Sequence, residues 1–320
     1  MADSDVFPSD KGNEGEQRLI QDLPTMFSQG MTWQQRSGST AAYVFVTMLV
    51  GSLIIVLTSA HHSSFGRPGN ISNQFGAVSS IHMLDAETGW AMTGKDRIVR
   101  TTDGGVHWKN VTPNYPATAN QQSVVAAFLT ASSAWIAVSS ADATTTVIFR
   151  TTNAGQTWQE TTIQTNIGIV AQINFVTSQD GWLLSKHAVS ENAETVELFR
   201  TTDGGRTWDK VASALASSSD TPPAGHLPFS GSKSGLSFLN ATTGWVTGRV
   251  PVDGYTLLYR THDGGSTWYP QSLPLSPTEA SSQLSILPPS FFNDTDGILP
   301  VSFDMGNGAN LDVYVTHVIQ

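Results

Sequence analysis

The feature that most constrains this chain is a repeat. Four segments of eleven residues align without gaps, at Ile98 to Trp108, Ile148 to Trp158, Leu198 to Trp208 and Leu258 to Trp268, and their tryptophans recur at intervals of 50, 50 and 60 residues. A weaker signature precedes each of them, at Ile81 to Trp90, Ala126 to Trp135, Ile173 to Trp182 and Leu236 to Trp245. A fifth copy, Ser290 to Ile298, carries Ile where Trp stood. Five modules therefore begin and four finish. A module of this length cannot bury its apolar face alone, so the fold must stack neighbours against one another.

Within a module, apolar, β-branched and aromatic residues fill runs of four to seven, and Gly, Asp, Asn and Ser punctuate them. That is the pattern of short strands between tight turns. Four strands every ~50 residues is the period of a propeller blade rather than of a helical solenoid. The expected fold is all-β, a propeller of about five four-stranded blades. Blade five is expected at 285–293, 297–303 and 311–318, with the chain reaching 320 where a fourth strand belongs. It is therefore either incomplete or completed by an N-terminal strand from about Pro68 to Phe75. The Ser/Pro/Gly-rich stretch from Ala212 to Gly235 reads as a surface loop of blade three.

In the turns the Asp carboxylate is placed to accept backbone N–H groups just ahead of it, and the glycines supply φ > 0 at little steric cost. The residues assigned this structural role are Asp103, Gly105 and Trp108, Asn153, Gly155 and Trp158, Asp203, Gly205 and Trp208, and Asp263, Gly265 and Trp268. Asn153 replaces Asp in one copy, so the geometry of an acceptor matters here more than charge. That speaks against acid–base chemistry at the position. Ser/Thr-x-Asp-x-Gly-x-Thr-Trp resembles the Asp-box, or bacterial neuraminidase repeat, over about residues 75 to 320. The longer Arg-Thr-Thr-Asp-Gly-Gly-x-Thr-Trp form with an upstream Phe and Gly-Trp is similar to the photosystem II assembly and stability factor family; sortilin-type receptors and sialidases share the box more distantly. The resemblance implies a β-propeller whose box is a structural turn away from the ligand-binding face, and a non-enzymatic protein that holds partner proteins during assembly.

The N-terminal third has another character. Residues 41–60 hold no charge over twenty residues, which as a helix spans ~30 Å of hydrocarbon. They are read as a single transmembrane helix. The preceding 1–40, with six acids (Asp3, Asp5, Asp10, Glu14, Glu16, Asp22) against Lys11, Arg18 and Arg36, is read as a mostly disordered tail. The basic residues put that tail in the cytoplasm and the propeller outside. Residues 61–74 form a linker that includes the candidate closing strand.

A formal net charge of -10 excludes non-specific attraction to nucleic acid. Zero cysteines exclude disulfides, thiolate metal sites and a cysteine nucleophile. No catalytic, metal-ligating or cofactor-binding residue is assigned. Arg100, Arg150, Arg200 and Arg260 recur at one strand position and are candidates for a basic arc that reads an acidic partner segment. The competing reading packs each stem on its neighbouring Trp. Spread around a ring, they do not converge on one carboxylate as a sialidase requires, and the sialidase Arg-Ile-Pro signature is missing. Ser230 and Lys233 fit Ser-x-x-Lys without its companion motifs, which reads as chance. The expected function is thus a membrane-anchored, extracytoplasmic, non-enzymatic scaffold for a protein partner. The alternatives are a glycan-binding or sialidase-like propeller, and a signalling protein whose tail engages a cytoplasmic regulator.

Overall fold

The computed structural model describes residues 43–49, 52–58, 75–115, 123–140, 142–165, 168–190, 192–214, 223–277, 279–304 and 309–317. The expected tail at 1–40 and linker at 61–74 lie outside the described residues. Where one transmembrane helix was expected over 41–60, two strands form instead, β1 (Tyr43–Leu49) and β2 (Ser52–Thr58), paired in a sheet of their own. No helix among the described residues is long and apolar enough to cross a membrane. The physical reason lies in composition: Val44, Val46, Thr47, Ile54, Ile55, Val56 and Thr58 are β-branched, and such side chains favour extended backbone. An uncharged run has no period to decide between the two.

The remaining strands make five blades. Blade one is β3 (Val78–Met83), β4 (Gly89–Thr93), β5 (Ile98–Thr101) and β6 (Lys109–Asn110). Blade two is β7 (Ser123–Phe128), β8 (Ala134–Ser139), β9 (Thr145–Thr151) and β10 (Gln159–Gln164). Blade three is β11 (Ile169–Phe175), β12 (Gly181–Ser190), β13 (Ala193–Thr201) and β14 (Asp209–Ala214). Blade four is β15 (Ser232–Phe238), β16 (Gly244–Arg249), β17 (Leu258–Thr261) and β18 (Tyr269–Pro270). In blade five the first strand is broken into β19 (Gln283–Ile286) and β20 (Ser290–Phe291), both paired with β21 (Asp296–Asp304), which pairs in turn with β22 (Ala309–His317). Each blade is an antiparallel meander, and one bridge, Arg249 to Ser285, joins the sheets of blades four and five.

First strands meet first strands. Ser123 Oγ donates to the Val170 carbonyl at 2.8 Å, and the Gln172 amide exchanges two 2.8 Å bonds with the backbone of Leu236. Consecutive sheets therefore stand face to face with their first strands innermost, the arrangement of a β-propeller. Its cores are the seams between blades, each drawing buried apolar residues from two neighbouring sheets.

The Gly-Trp signature builds these seams. Trp135 stacks on Phe175 of the next blade at 3.7 Å between centroids, Trp182 on Phe238 at 3.6 Å, and Trp90 on Phe128 at 5.4 Å. All three indoles are fully buried. The glycine before the tryptophan is required by a close approach: a Cβ at Gly181 would lie 2.4 Å from the Phe175 ring, and one at Gly244 2.4 Å from the Phe238 ring. These phenylalanines sit opposite their glycines in the ladder, so Phe and Gly are selected together. Trp182→Ala should cost about 3–5 kcal/mol and Gly181→Val about 1–3 kcal/mol through overpacking. Chemical denaturation by the tryptophan signal checks both, and a loss below 1 kcal/mol for Trp182→Ala would contradict this account.

Candidate functional site

The repeated turns join third to fourth strands, and each is organised by one threonine and one acidic or amide side chain. In blade three Thr201 Oγ donates to Asp203 Oδ1 at 2.8 Å and accepts the Gly205 N–H at 2.9 Å. The Asp203 carboxylate accepts the Thr207 N–H at 2.9 Å and the Thr207 hydroxyl at 2.7 Å. Blade four repeats this with Thr261, Asp263, Gly265 and Thr267. In blade one His107 takes the threonine position, its ring Nδ1 lying 2.7 Å from Asp103 Oδ2. In blade two the polarity reverses, because Asn153 Nδ2 donates to Thr157 Oγ at 2.8 Å while Asn153 Oδ1 still accepts the Thr157 N–H at 3.0 Å. A hydroxyl serves either partner.

Bonding sets the protonation of these acids. The backbone and ring of His107 hold Asp103 at about 2. Burial pushes Asp203 up, but the Thr207 hydroxyl and N–H, the Thr201 hydroxyl and the Arg206 N–H together pull it down to about 2. The second glycine has φ of 88° at Gly105 and Gly205 and 100° at Gly265, while the first position tolerates Ala154 at 60°.

The first hairpin turn of each blade lies at the same end. One side-chain oxygen accepts two backbone N–H groups in all five: Asp85, Thr130, Thr177, Asn240 and Asn293. Sequence reasoning missed this role, although the alternation of Asp, Thr and Asn in five aligned copies was the available signal. The two turns of a blade are tied together by Gly104 N–H to Glu87 O, Ala154 to Ser132, Gly204 to Gln179 and Gly264 to Thr242. Across the seams, Trp135 Nε1 donates to Gly204 O and Trp182 Nε1 to Gly264 O, both at 2.8 Å. Trp268 and Trp108 bond the Gly265 and Gly105 carbonyls of their own turns, and Trp158 reaches Val111 O of blade one.

The four arginines lie one to a blade, each opposite the Gly-Trp tryptophan in the ladder. Arg100, Arg200 and Arg260 lie over Trp90, Trp182 and Trp245 at 5.6, 5.7 and 5.1 Å. Arg100 and Arg200 each donate at 3.0 Å to a carbonyl in the next blade's first turn, Ala131 O and Ala241 O. Arg150 donates to Gln159 Oε1 at 3.1 Å, and Arg260 Nε finds no hydrogen-bond partner among the described residues. The structure does not bring the four together.

The opposite end carries the second-to-third connections and the links between blades. There Lys233, 1% exposed, donates Nζ to the carbonyls of Phe229, Ser230 and Gly231, each at 3.0 Å. Glu194, 6% exposed, accepts from Ser232 Oγ at 2.9 Å and from the Lys233 N–H at 2.7 Å, with Lys186 Nζ at 3.4 Å. Burial pushes the Lys233 amine down to about 8 against the opposing pull of Glu194. Lys233 therefore engages carbonyls, and the stretch read as a plain surface loop is stapled from 229 to 233 onto the blade-three hairpin, with Gly231 N–H on Asn192 O at 2.7 Å. A ring of carbonyls can satisfy a buried ammonium, which is why a loop of this composition holds a fixed shape. Glu194 and Glu197 stand three apart on β13 and so face opposite blades; Glu197 pairs with Lys210 at 3.0 Å.

Comparison with known proteins gives one family model, described as Sortilin, neurotensin receptor 3, which matches residues 96–221. No curated protein matches the chain. Among solved structures, YCF48 from Cyanidioschyzon merolae is 14% identical, the likeness covering 78% of this chain and 72% of that one at a TM-score of 0.49. YCF48 bound to D1 peptide is 14% identical, with 76% and 92% covered and a TM-score of 0.34. The GH74 xyloglucanase from Xanthomonas campestris is 16% identical, with 74% and 36% covered and a TM-score of 0.46.

Asp203→Asn should leave the native fold in place, since Asn153 already fills the equivalent turn, whereas Asp203→Ala should cost about 1–3 kcal/mol by orphaning turn donors. The carboxyl is depressed in the fold, so its contribution is present above about pH 4 and lost as pH falls towards 2. Acid titration of unfolding should show a shallower loss over that window in Asp203→Asn than in the parent, and equal slopes would refute the assignment.

Proposed function

We propose that the chain is an Asp-box propeller that works as a binding scaffold for a protein partner, docked on the end opposite the Asp-box turns. The observation that carries this reading is how the acids are used. Asp103, Asp203 and Asp263 are each spent on the donors of their own turns, Glu197 on Lys210 of its own blade, and Glu194 on Lys186 of its own blade and on the Ser232 hydroxyl and Lys233 N–H of blade four. Glycoside hydrolysis needs two carboxyl groups facing one bond, and these five are each held by internal partners. The opposite end offers surface on projecting connections: Val189 on the blade-three hairpin and Val252 and Tyr255 on the neighbouring blade-four connection are 53%, 54% and 40% exposed. Three large apolar side chains on adjacent projecting connections suit a protein surface.

The address is proposed from sequence. Twenty residues without charge at 41–60 favour a membrane, and the lysine and arginine balance puts the N-terminal side in the cytoplasm. The protein should stay in the pellet on alkaline extraction of membranes, and recovery in the supernatant would remove the membrane from the proposal.

Cross-linking and affinity capture test the scaffold. Cross-links to the partner should map to residues 187–190 and 250–257, and Val252→Asp with Tyr255→Asp should lower capture at least tenfold while leaving unfolding unchanged. Cross-links confined to Arg100, Arg150, Arg200 and Arg260 would move the docking surface to the turn end. Specific binding on a glycan array without protein capture would overturn the scaffold reading.

A further inference from the structure

The third-strand arginine of a blade faces the next blade, since it stands opposite the Gly-Trp tryptophan whose indole lies in that seam. In blades one and three it is spent there, Arg100 on Ala131 O and Arg200 on Ala241 O. Arg150 of blade two departs from this. Ser178 of blade three stands where Ala131 and Ala241 stand in their blades, yet Arg150 does not bond it; its Nη1 donates to Gln159 Oε1 of its own blade at 3.1 Å. Nor does it lie over its tryptophan, as Arg100, Arg200 and Arg260 do.

A second departure falls in the same seam. The residue after the second turn glycine is Val106, Gln156 and Ser266 in blades one, two and four, and Arg206 in blade three. Arg206 is exposed; its Nη1 folds back on Asp203 O at 2.6 Å, and its own carbonyl accepts from Thr161 Oγ of blade two at 3.5 Å. Arg150 approaches this corner from the facing blade, for a Cβ on Gly204 would lie 3.5 Å from its Nε. Two guanidiniums from consecutive blades therefore flank one turn. Burial lowers the Arg150 pKa, and the Arg206 charge lowers it further.

No free acid answers this pair. The Asp203 carboxylate already accepts the Thr201 and Thr207 hydroxyls and the Arg206 and Thr207 N–H groups. Glu160 stands opposite Phe149 and so faces blade one, and Asp180 lies 3.8 Å from Arg200. Neither Arg150 nor Arg206 has an ion pair among the described residues. Like charges held together repel, and an anion between them turns that cost into two charge-assisted contacts.

We propose that the seam of blades two and three at the turn end is an oxyanion site, in which Arg150 and Arg206 hold one carboxylate or phosphate group between them. Each guanidinium has five N–H donors and uses one internally, so both keep their present bonds when the anion is held. Arg150 Nε is buried, so the ligand meets the terminal nitrogens from outside the seam. Gln159 is a positioning residue, holding Arg150 away from the carbonyl that its counterparts bond.

Arginine modification by phenylglyoxal, read residue by residue by mass spectrometry on the full chain, tests the site. Inorganic phosphate and acetate are titrated separately at an ionic strength held constant with sodium chloride. At least one of them should protect Arg150 and Arg206 together, saturably and about tenfold or more, and leave exposed Arg249 unchanged. Which ion protects assigns the ligand as phosphate or carboxylate. Arg206→Gln places in blade three the residue that blade two already carries as Gln156, so unfolding should not change, and protection of Arg150 should be lost. Protection equal to that at Arg249, linear in added salt, or retained in Arg206→Gln would overturn the proposal, as would protection by neither ion.

Discussion

The structure depends on one contact, the indole of each Gly-Trp pair laid against the next blade. A four-stranded sheet of this size has two apolar faces and no helix to cover either, so its stability comes from its neighbours. Trp135 and Trp182 meet that need twice over, stacking on an aromatic ring and donating Nε1 to a turn carbonyl in the following blade. The ring drives association, and the N–H fixes where along the strand it occurs. The rest follows as consequence: the glycines before Trp182 and Trp245 clear space for Phe175 and Phe238, and arginines lie over Trp90, Trp182 and Trp245.

That contact in turn requires a fixed carbonyl, which is the work of the repeated turn. A turn whose glycine carbonyl wandered would give the indole nothing to bond. The threonine, the acidic or amide side chain and the tie to the first hairpin hold the glycine in one conformation in all four blades. Blade five has no such turn among the described residues, and Trp245 bonds Gln271 Oε1 at 2.9 Å instead. The dependence runs both ways, because Gly205 has its close approach to Trp135 only when the neighbouring blade is in place.

Much of this was legible in sequence because it is repeated. Asn153 beside three aspartates already said that an acceptor rather than a charge is needed, and Asn153 Oδ1 accepts as the carboxylates do. The broken first strand of blade five could not be read, since the Pro288-Pro289 interruption in 285–293 resembles ordinary variation. Nor could the setting of Lys233, because a buried ammonium is recognised by the carbonyls around it and carbonyls carry no letter in a sequence. The uncharged 41–60 run failed for the reason that any uniform run fails: with apolar residues at every position, helix and strand periods fit equally.

The same distribution of repeated and unrepeated features bears on function. At the turn end blades one to four do the same thing: an aspartate or asparagine satisfies turn donors, and the tryptophans lie in the seams. Groups committed to internal partners are costly to withdraw for a ligand, since each leaves an unpaired donor or acceptor behind. At the other end the blades differ: blade three extends its hairpin to Ser190, blade four sends out Val252 and Tyr255, and a carbonyl cage around Lys233 fixes the loop between them. Individuality in a repeat protein is tolerated where the neighbour-to-neighbour contacts do not depend on it. It is there that blades three and four expose Val189, Val252 and Tyr255 on connections no neighbour contact depends on.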